Sequence, residues 1–472
     1  MSTLRIYNSF SRKKQIFYPI TPGKVGLYVC GITAYDYCHL GHARLMIVFD
    51  IVQRWLRINN YDVTYVRNIT DIDDKIIACA KKNNESIKTL TSRFIKAAQE
   101  DSLLLHIQPP DYQPCATNYI PQILKMIEKL IFNGLAYQNN NGKINGDVNY
   151  SVRNFLNYGK LSGRLISSNF NKINEKNNFK KDPLDFALWK VSKNNDPYEI
   201  RWNSKWGAGR PGWHIECSAM SCYLLGSHFD IHGGGQDLKF PHHENEIAQS
   251  EGAYKHKFVN YWMHSGFVKI NNKKMSKSFG NFCTIRDLLK KYNPEVIRFF
   301  ILRSHYRSTI NYSEIYLNYA KKSLIRLYLA IKDIPKINYK KIIDLNEPHA
   351  KRFIIAMNDD FNTPVAISIL FDLANIINKN KSIKMAKQLR GLGNWLGLLE
   401  YSSDEFLKNN IYTERKKNVN YSENDIKLKI YFRSEARKRK NFLEADKIRQ
   451  ELVNNGIILE DMPNGKTEWR RI

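Results

Sequence analysis

Residues 24–57 read KVGLYVCGITAYDYCHLGHARLMIVFDIVQRWLR, and the order of residue types in this stretch decides the fold class. Lys24 to Gly31 (KVGLYVCG) is a short apolar run of the kind that makes a buried strand, and Ala43 to Arg57 spaces its apolar residues at helical intervals. A glycine-rich turn therefore joins strand to helix. Asp62 to Asn68 (DVTYVRN) is the next strand. This β-α-β order predicts an α/β fold with a parallel sheet, and ligands are expected beyond the carboxyl ends of its strands.

Working outward, helical patterns and turns fill the chain from about Ser92 to Gly159 before the sheet is expected to resume, which reads as an insertion; Asn169 to Lys181 is a polar loop. Between Phe229 and Phe267 come a strand (FDIHGG), a helix from Pro241 to about Glu251 and a further apolar run, as a second half of the sheet requires. From Tyr312 onward the pattern is helical, over Ile315 to Ile334, Glu347 to Met357 and Pro364 to Asn378. Residues 401–425 are polar and aperiodic, a linker to a terminal module. No solenoid-like repeat is present.

At 472 residues and 43% hydrophobic content the chain can bury a catalytic body together with two or three smaller domains. The opening MSTLRIYNSFSRKK lacks the apolar core of a secretory signal, and no later stretch runs long enough without charge to span a bilayer, so a soluble cytoplasmic protein is expected. Seven scattered cysteines do not make a disulfide framework; reduced or metal-bound thiols are expected. A net charge of +28 points to polyanionic partners, nucleic acid first among them. Codon bias towards Lys, Asn and Ile would produce the same excess on a solvated surface, and composition leaves the two readings level.

Three groups of residues carry chemistry. His39-Leu40-Gly41-His42 sits where strand gives way to helix, so its imidazoles and the helix N-terminus can receive a triphosphate while Gly41 lets phosphate approach the backbone. Lys274-Met275-Ser276-Lys277-Ser278, followed by Gly280 and Asn281, offers ammonium groups that can hold the charge of a departing pyrophosphate. Either element alone reads as ordinary polar surface. The third group is Cys30, Cys217, and His242 with Glu246 four residues on, along one helical face. Two thiolates, an imidazole and a carboxylate suit tetrahedral zinc, but their dispersal leaves the site open, and each cysteine singly reads as a small buried hydrophobe. His243 and Glu244 are expected to point elsewhere on that helix. Trp213 is either a pocket wall or a core residue.

The first two elements together resemble the HIGH and KMSKS signatures of class I aminoacyl-tRNA synthetases. YVCGITAYDYCHLGHAR, RPGWHIECSAMS, FDIHGGGQDLKFPHHENEIAQSEG, NYWMHSGFVKI, KKMSKSFGN, DDFNTPVAISILFDLA and ARKRKNFLEADKIRQELVNNGIILED resemble, in order, the blocks of the cysteinyl-tRNA synthetases over nearly the whole chain. The resemblance implies a Rossmann-type catalytic domain over residues 1–310, with its insertion at about 92–200 and the KMSKS region at about 265–310. It further implies a helical tRNA-binding domain at 311–400, a linker at 401–425 and an anticodon-binding module at 426–472. It makes Cys30, Cys217, His242 and Glu246 ligands of one Zn2+. It makes His39, His42, Lys274 and Lys277 the residues that handle ATP, and brings Gly31, Thr33 and Asp237 to the adenylate. ATP with Mg2+, L-cysteine and tRNA(Cys) are the implied substrates and partners, no membrane is involved, and the family suggests a monomer. Zinc has a physical rationale here. Serine differs from cysteine only by oxygen for sulfur, which shape separates poorly, whereas a metal favours a thiolate over a neutral hydroxyl.

Other readings share parts of this pattern. A ligase joining cysteine to an amino sugar would keep every catalytic motif but has no use for a module beyond residue 425. A zinc hydrolase with Glu246 as general base leaves KMSKS without a role. A silent tRNA-binding paralogue does not fit intact HLGH and KMSKS elements. In the tail, Arg433 to Lys440 (RSEARKRK) and Trp469-Arg470-Arg471 combine cations with an aromatic, as phosphate contact and base stacking require, although Trp469 reads equally as a packing anchor. One residue more than the family commonly has precedes Trp469.

Overall fold

Strand β1 (Lys24–Thr33) buries its four residues Leu27 to Cys30, as a central strand covered on both faces must. Helix α1 (Leu40–Ile58) follows it, and β2 (Asp62–Thr70) returns alongside β1 in parallel. These are the bounds of a computed structural model, which describes residues 3–139, 146–164, 180–193, 196–274, 282–332, 343–408, 421–462 and 465–471. Most of the polar loop from Asn169 to Lys181, and the segment Met275 to Asn281 with Lys277, lie outside those residues.

The expected insertion does not return to the parallel sheet. After α2 (Ile120–Phe132), the strands β3 (Ala136–Gln138), β4 (Val148–Tyr150), β5 (Phe186–Val191) and β6 (Gly209–Pro211) form an antiparallel sheet of their own in that order. Its inner side chains, Tyr150, Leu188 and Trp189 among them, join the same apolar core as Tyr28, Val66 and Met220. The second half of the fold then runs α3 (Trp213–Leu225), β7 (Phe229–Gly235), α4 (His242–Tyr254) and β8 (Val259–Ser265). The parallel sheet has the order β8-β7-β1-β2, so the two halves meet where β7 lies against β1. That reversal of strand order opens a crevice at the strands' carboxyl ends. A short hairpin follows, β9 (Val268–Ile270) with β10 (Lys273–Lys274).

The chain divides into two compact units. The first comprises Met1–Phe282, Ser304–Asn311 and Ile354–Pro364, and the second Cys283–Arg303, Tyr312–Phe353 and Val365–Ile472. In the second, α5 (Pro294–Leu302) and α6 (Glu314–Ala330) lead to α7 (Thr363–Asn380) and α8 (Ile383–Trp395); the sequence reading did not separate α8. The expected linker at 401–425 contains a helix, α9 (Ser403–Lys408), whose Phe406 stacks on Tyr328 of α6 at 4.0 Å. Six residues are too few to display helical periodicity, so tertiary packing makes this turn visible. The terminal module is α10 (Glu423–Lys438), α11 (Phe442–Asn454) and the hairpin β11 (Ile457–Asp461) with β12 (Thr467–Arg471), closed over Ile426, Leu452, Ile457 and Leu459. Trp469 pairs with Leu459 and packs on that small core, as an anchor would. Arg433, counted above among cations for phosphate, is buried and holds Asp461 through two bonds of 2.8 Å.

Candidate active site

Residues 30, 217, 242 and 246 converge at the carboxyl end of β1. The register between β1 and β2 slips between Val29 and Ile32, and this irregularity falls on Cys30 and Gly31. Such a bulge re-aims a side chain at the end of a strand. Gly31 is needed for it: a Cβ there would stand 1.7 Å from the Asn68 carbonyl oxygen. The Gly31 N–H donates to Asn68 Oδ1 at 2.9 Å, so Asn68 already occupies that donor. Cys217 enters from the first turns of α3, while His242 opens α4 and Glu246 follows one turn later.

All four side chains are buried, and their ligand atoms lie within 4.8 Å of one another. Cys30 Sγ is 3.8 Å from Cys217 Sγ and 3.3 Å from Glu246 Oε1, and His242 Nε2 is 3.1 Å from the same oxygen. Burial, with Cys217 beside it, pushes the Cys30 thiol well above its ordinary range. Cys217 moves the other way, down to about 6, because Cys30 donates to it; burial opposes the shift and His242 assists it. Burial also works against the Glu246 carboxylate, but His232 and His242 outweigh it and hold the group well below its usual range. Burial likewise opposes a charged His242, which Glu246 and Cys217 nevertheless carry up to about 10. Cys217 and Glu246 thus share one dry pocket as anions with a charged His242 between them, and a pocket of that kind favours a cation.

Around these four stand residues that the sequence reading did not assign. His232, on β7, lies 2.8 Å from Glu246 Oε2 and stacks on Trp262 at 4.5 Å. His214 Nδ1 is 2.9 Å from His242 Nδ1. His243, expected to point away, is buried 4.0 Å from Glu246 Oε1 and 2.9 Å from His264. Cys30, His232, His243 and Glu246 consequently form a second group of equal closeness. Three residues apart on the helix, His243 and Glu246 are neighbours, and with α3 packed on α4 and with His232 of β7 and His264 of β8 reaching it, the whole first turn of α4 is inside the protein. Burial keeps His214, His243 and His264 neutral, the last down to about 3. For His232 and His264 one signal lay in FDIHGG and NYWMHSG, where a polar ring interrupts a buried strand and must find a partner. Glu244 does turn aside, accepting from the backbone of Gly159 at 2.9 Å and Ser162 at 2.8 Å. Trp213 is 40% exposed with its ring 4.6 Å from that of His242, which rules out the core reading.

HLGH builds the start of α1. His39 is the N-cap: its Nδ1 accepts from the backbone of Gly41 at 3.0 Å and His42 at 3.4 Å, and His42 Nδ1 accepts in turn from the His39 N–H at 3.2 Å. The two rings stack at 3.8 Å. Burial, reinforced by His39, pushes His42 down to about 3, so at neutral pH it is a neutral ring whose proton sits on Nε2, a donor rather than a cation. Thr33 closes β1 opposite Thr70, and Asp237 is exposed on the turn Gln236–Lys239 beyond β7. The backbone of Lys274 ends β10.

The fold and this crevice are those of a class I synthetase. The family model described as tRNA synthetases class I (C) catalytic domain matches residues 16–322, and the DALR domain model matches residues 352–400. The fold is shared with Mycobacterium tuberculosis methionyl-tRNA synthetase in complex with methionyl-adenylate, at a TM-score of 0.55 and 14% identity over 79% of this chain and 89% of that one. Cysteine--tRNA ligases of Herminiimonas arsenicoxydans and of Janthinobacterium sp. (strain Marseille) are each 58% identical over 472 residues, covering the whole of both chains. The chain belongs to the cysteine--tRNA ligase family. Among the described residues no helix is long and apolar enough to cross a membrane.

Proposed function

We propose that this cysteine--tRNA ligase selects its amino acid on a zinc ion held by Cys30, Cys217, His242 and Glu246. The observation that carries the reading is the separation of the two sulfurs. Thiolates about 2.3 Å from a shared tetrahedral ion stand about 3.8 Å apart, and Cys30 and Cys217 are 3.8 Å apart. The set with two thiolates is preferred over the one with His232 and His243, because sulfur-rich tetrahedral sets are those zinc takes most readily. A zinc ion bound there would take the substrate's sulfur as thiolate, which the neutral hydroxyl of serine cannot match.

The protein's own residues do the remaining work by position. His232 and His214 hold Glu246 and His242 in place from behind, and Trp213 walls the mouth. His39 and His42 meet the triphosphate at the helix start, Lys274 and Lys277 take charge from the leaving pyrophosphate, and Gly31, Thr33 and Asp237 border the adenylate. The cysteine carboxylate attacks the α-phosphate of ATP, carried as its Mg2+ complex, to give cysteinyl-adenylate and pyrophosphate. A ribose hydroxyl of the terminal adenosine of tRNA(Cys) then attacks the cysteinyl carbonyl, which forms the ester and releases AMP. No side-chain nucleophile is required. Residues 1–310 carry this chemistry in our reading, 311–400 hold the tRNA body and 426–472 read the anticodon, in a cytoplasmic monomer.

Cysteine-dependent pyrophosphate exchange into ATP, with metal content assayed on the same sample, tests the proposal. One zinc per chain and exchange with cysteine but not serine are expected. Cys217→Ser is expected to lose both the zinc and the exchange while keeping its affinity for tRNA. Normal zinc and exchange in that variant would remove Cys217 from the ligand set.

A further inference from the structure

Arg44 lies two residues beyond the HLGH turn, on α1, and is 1% exposed. Among the described residues its hydrogen-bond partners are all main-chain carbonyls: Phe267 at 2.9 Å through Nη1, and Tyr306 at 3.0 Å, His305 at 3.4 Å and Ser308 through Nη2. Buried arginines are ordinarily matched by a carboxylate, because an unmatched buried charge is costly. Burial alone already lowers this guanidinium to about 10. Nor are most of these carbonyls in need of a cation. Phe267 O also accepts from Ile310 N at 2.9 Å, Tyr306 O from Gly266 N at 2.8 Å and His305 O from Ser308 N at 3.0 Å. The charge therefore does not serve hydrogen-bond satisfaction, and a Met or Leu stem would fill the same space at lower cost.

What the guanidinium does is geometric. Phe267 precedes β9, and the hairpin from Val268 to Lys274 springs from it. The stretch from 304 to 311 supports the same hairpin from its other side, through Ile310 at the root and through Asn311 Oδ1, which accepts from Asn272 N at 2.8 Å at the turn. Packing at the root is close: a Cβ on Gly266 would fall 2.4 Å from Ser308 O. One planar group thus joins three backbone segments, namely α1 with His39 and His42, the root of the hairpin that ends in Lys274, and the strut from 304 to 308. Five N–H donors in a rigid fork can fix such a junction, whereas a lysine offers a single point of attachment.

We propose that Arg44 is a positioning residue for cysteine activation, one that sets the hairpin carrying Lys274 relative to the HLGH turn. The inference rests on the assignment of those two elements to ATP made above. It concerns the ATP side of the reaction alone, since none of the Arg44 partners belongs to the Cys30, Cys217, His242 and Glu246 group.

The test is steady-state pyrophosphate exchange on full-length Arg44→Met, Arg44→Lys and Asn311→Ala, with melting temperature and zinc content read on each sample. Misplacement of reacting groups by about 1 Å costs on the order of 100-fold in rate. Arg44→Met is expected to fold, to keep its zinc and its KM for cysteine within about twofold, and to lose about 100-fold in kcat with a raised KM for ATP. Arg44→Lys should recover part of this loss, about tenfold, and Asn311→Ala should show the same signature more weakly. Should Arg44→Met not fold, the other two variants decide. Wild-type kcat in Arg44→Lys and Asn311→Ala overturns the proposal, as does a parallel loss of cysteine KM and zinc, which would make Arg44 a general structural clamp. Absence of exchange in the wild-type protein would instead refute the activity reading, so the two failures are distinguishable.

Discussion

His39 shows how one side chain can serve both fold and chemistry. As the N-cap it satisfies backbone donors of the first turn of α1, which would otherwise be orphaned. As half of HLGH it presents an imidazole to ATP in our reading. Asparagine caps helices well, so His39→Asn separates the two roles. The variant should keep its stability within about 0.5 kcal/mol yet lose about 100-fold in pyrophosphate exchange, the loss typical of removing one preorganised donor. Unfolding curves and exchange rates on one preparation check both halves, and unchanged exchange would reduce His39 to a cap. At this scale much of the site was legible. His242 and Glu246 could be paired by the four-residue step on a helix and HLGH placed between strand and helix, while the resemblance to the cysteinyl-tRNA synthetases added Cys30 and Cys217 to the set. The partners of His214, His232 and His264 could not be read, because each acts through a neighbour to which no spacing in the sequence points.

At the scale of elements, Glu295 on α5 is informative. It is fully buried, and its carboxyl accepts from Tyr328 Oη at 2.8 Å on α6 and from the backbone of Leu399 at 3.0 Å and Glu400 at 2.8 Å, just past α8. Burial raises it from 4.5 to about 7 despite these donors. A folded carboxyl with a raised pKa retains a proton that the unfolded chain releases. Its contribution is therefore fully present below about pH 4.5 and is lost as pH rises through 7, a difference of roughly 3 kcal/mol. Urea midpoints of wild type and Glu295→Gln measured from pH 4.5 to 8 should differ in slope, with the variant flatter; parallel slopes would show that Glu295 does not carry this dependence. Helices α1, α4, α6 and α7 were readable from apolar periodicity, and α8 was not. The short α9 was not, nor was the separate antiparallel sheet β3-β4-β5-β6, whose strands of three to six residues carry too little pattern to announce which sheet they join.

For the whole molecule, the excess of 28 positive charges needs a measured consequence. Some cations are committed internally: Arg433 and Arg437 both hold Asp461, whose carboxyl they keep far below its ordinary range, and Arg44 is buried. If the remainder steers tRNA, raising salt from about 50 to 200 mM should raise the KM for tRNA by at least about tenfold and leave cysteine-dependent exchange nearly unchanged. A flat response would assign the lysines to codon usage instead. By itself the sequence determined the parallel α/β class and the order of HLGH and KMSKS, which follow from local periodicity and residue order, while the set of Cys30, Cys217, His242 and Glu246 came from the resemblance to the cysteinyl-tRNA synthetases. Only the tertiary structure decided which sheet the inserted strands join, how the histidines buttress Glu246 and His242, and what Arg44 grips. Those are contacts between segments far apart in the chain, and local pattern carries no record of which distant backbone a side chain will meet.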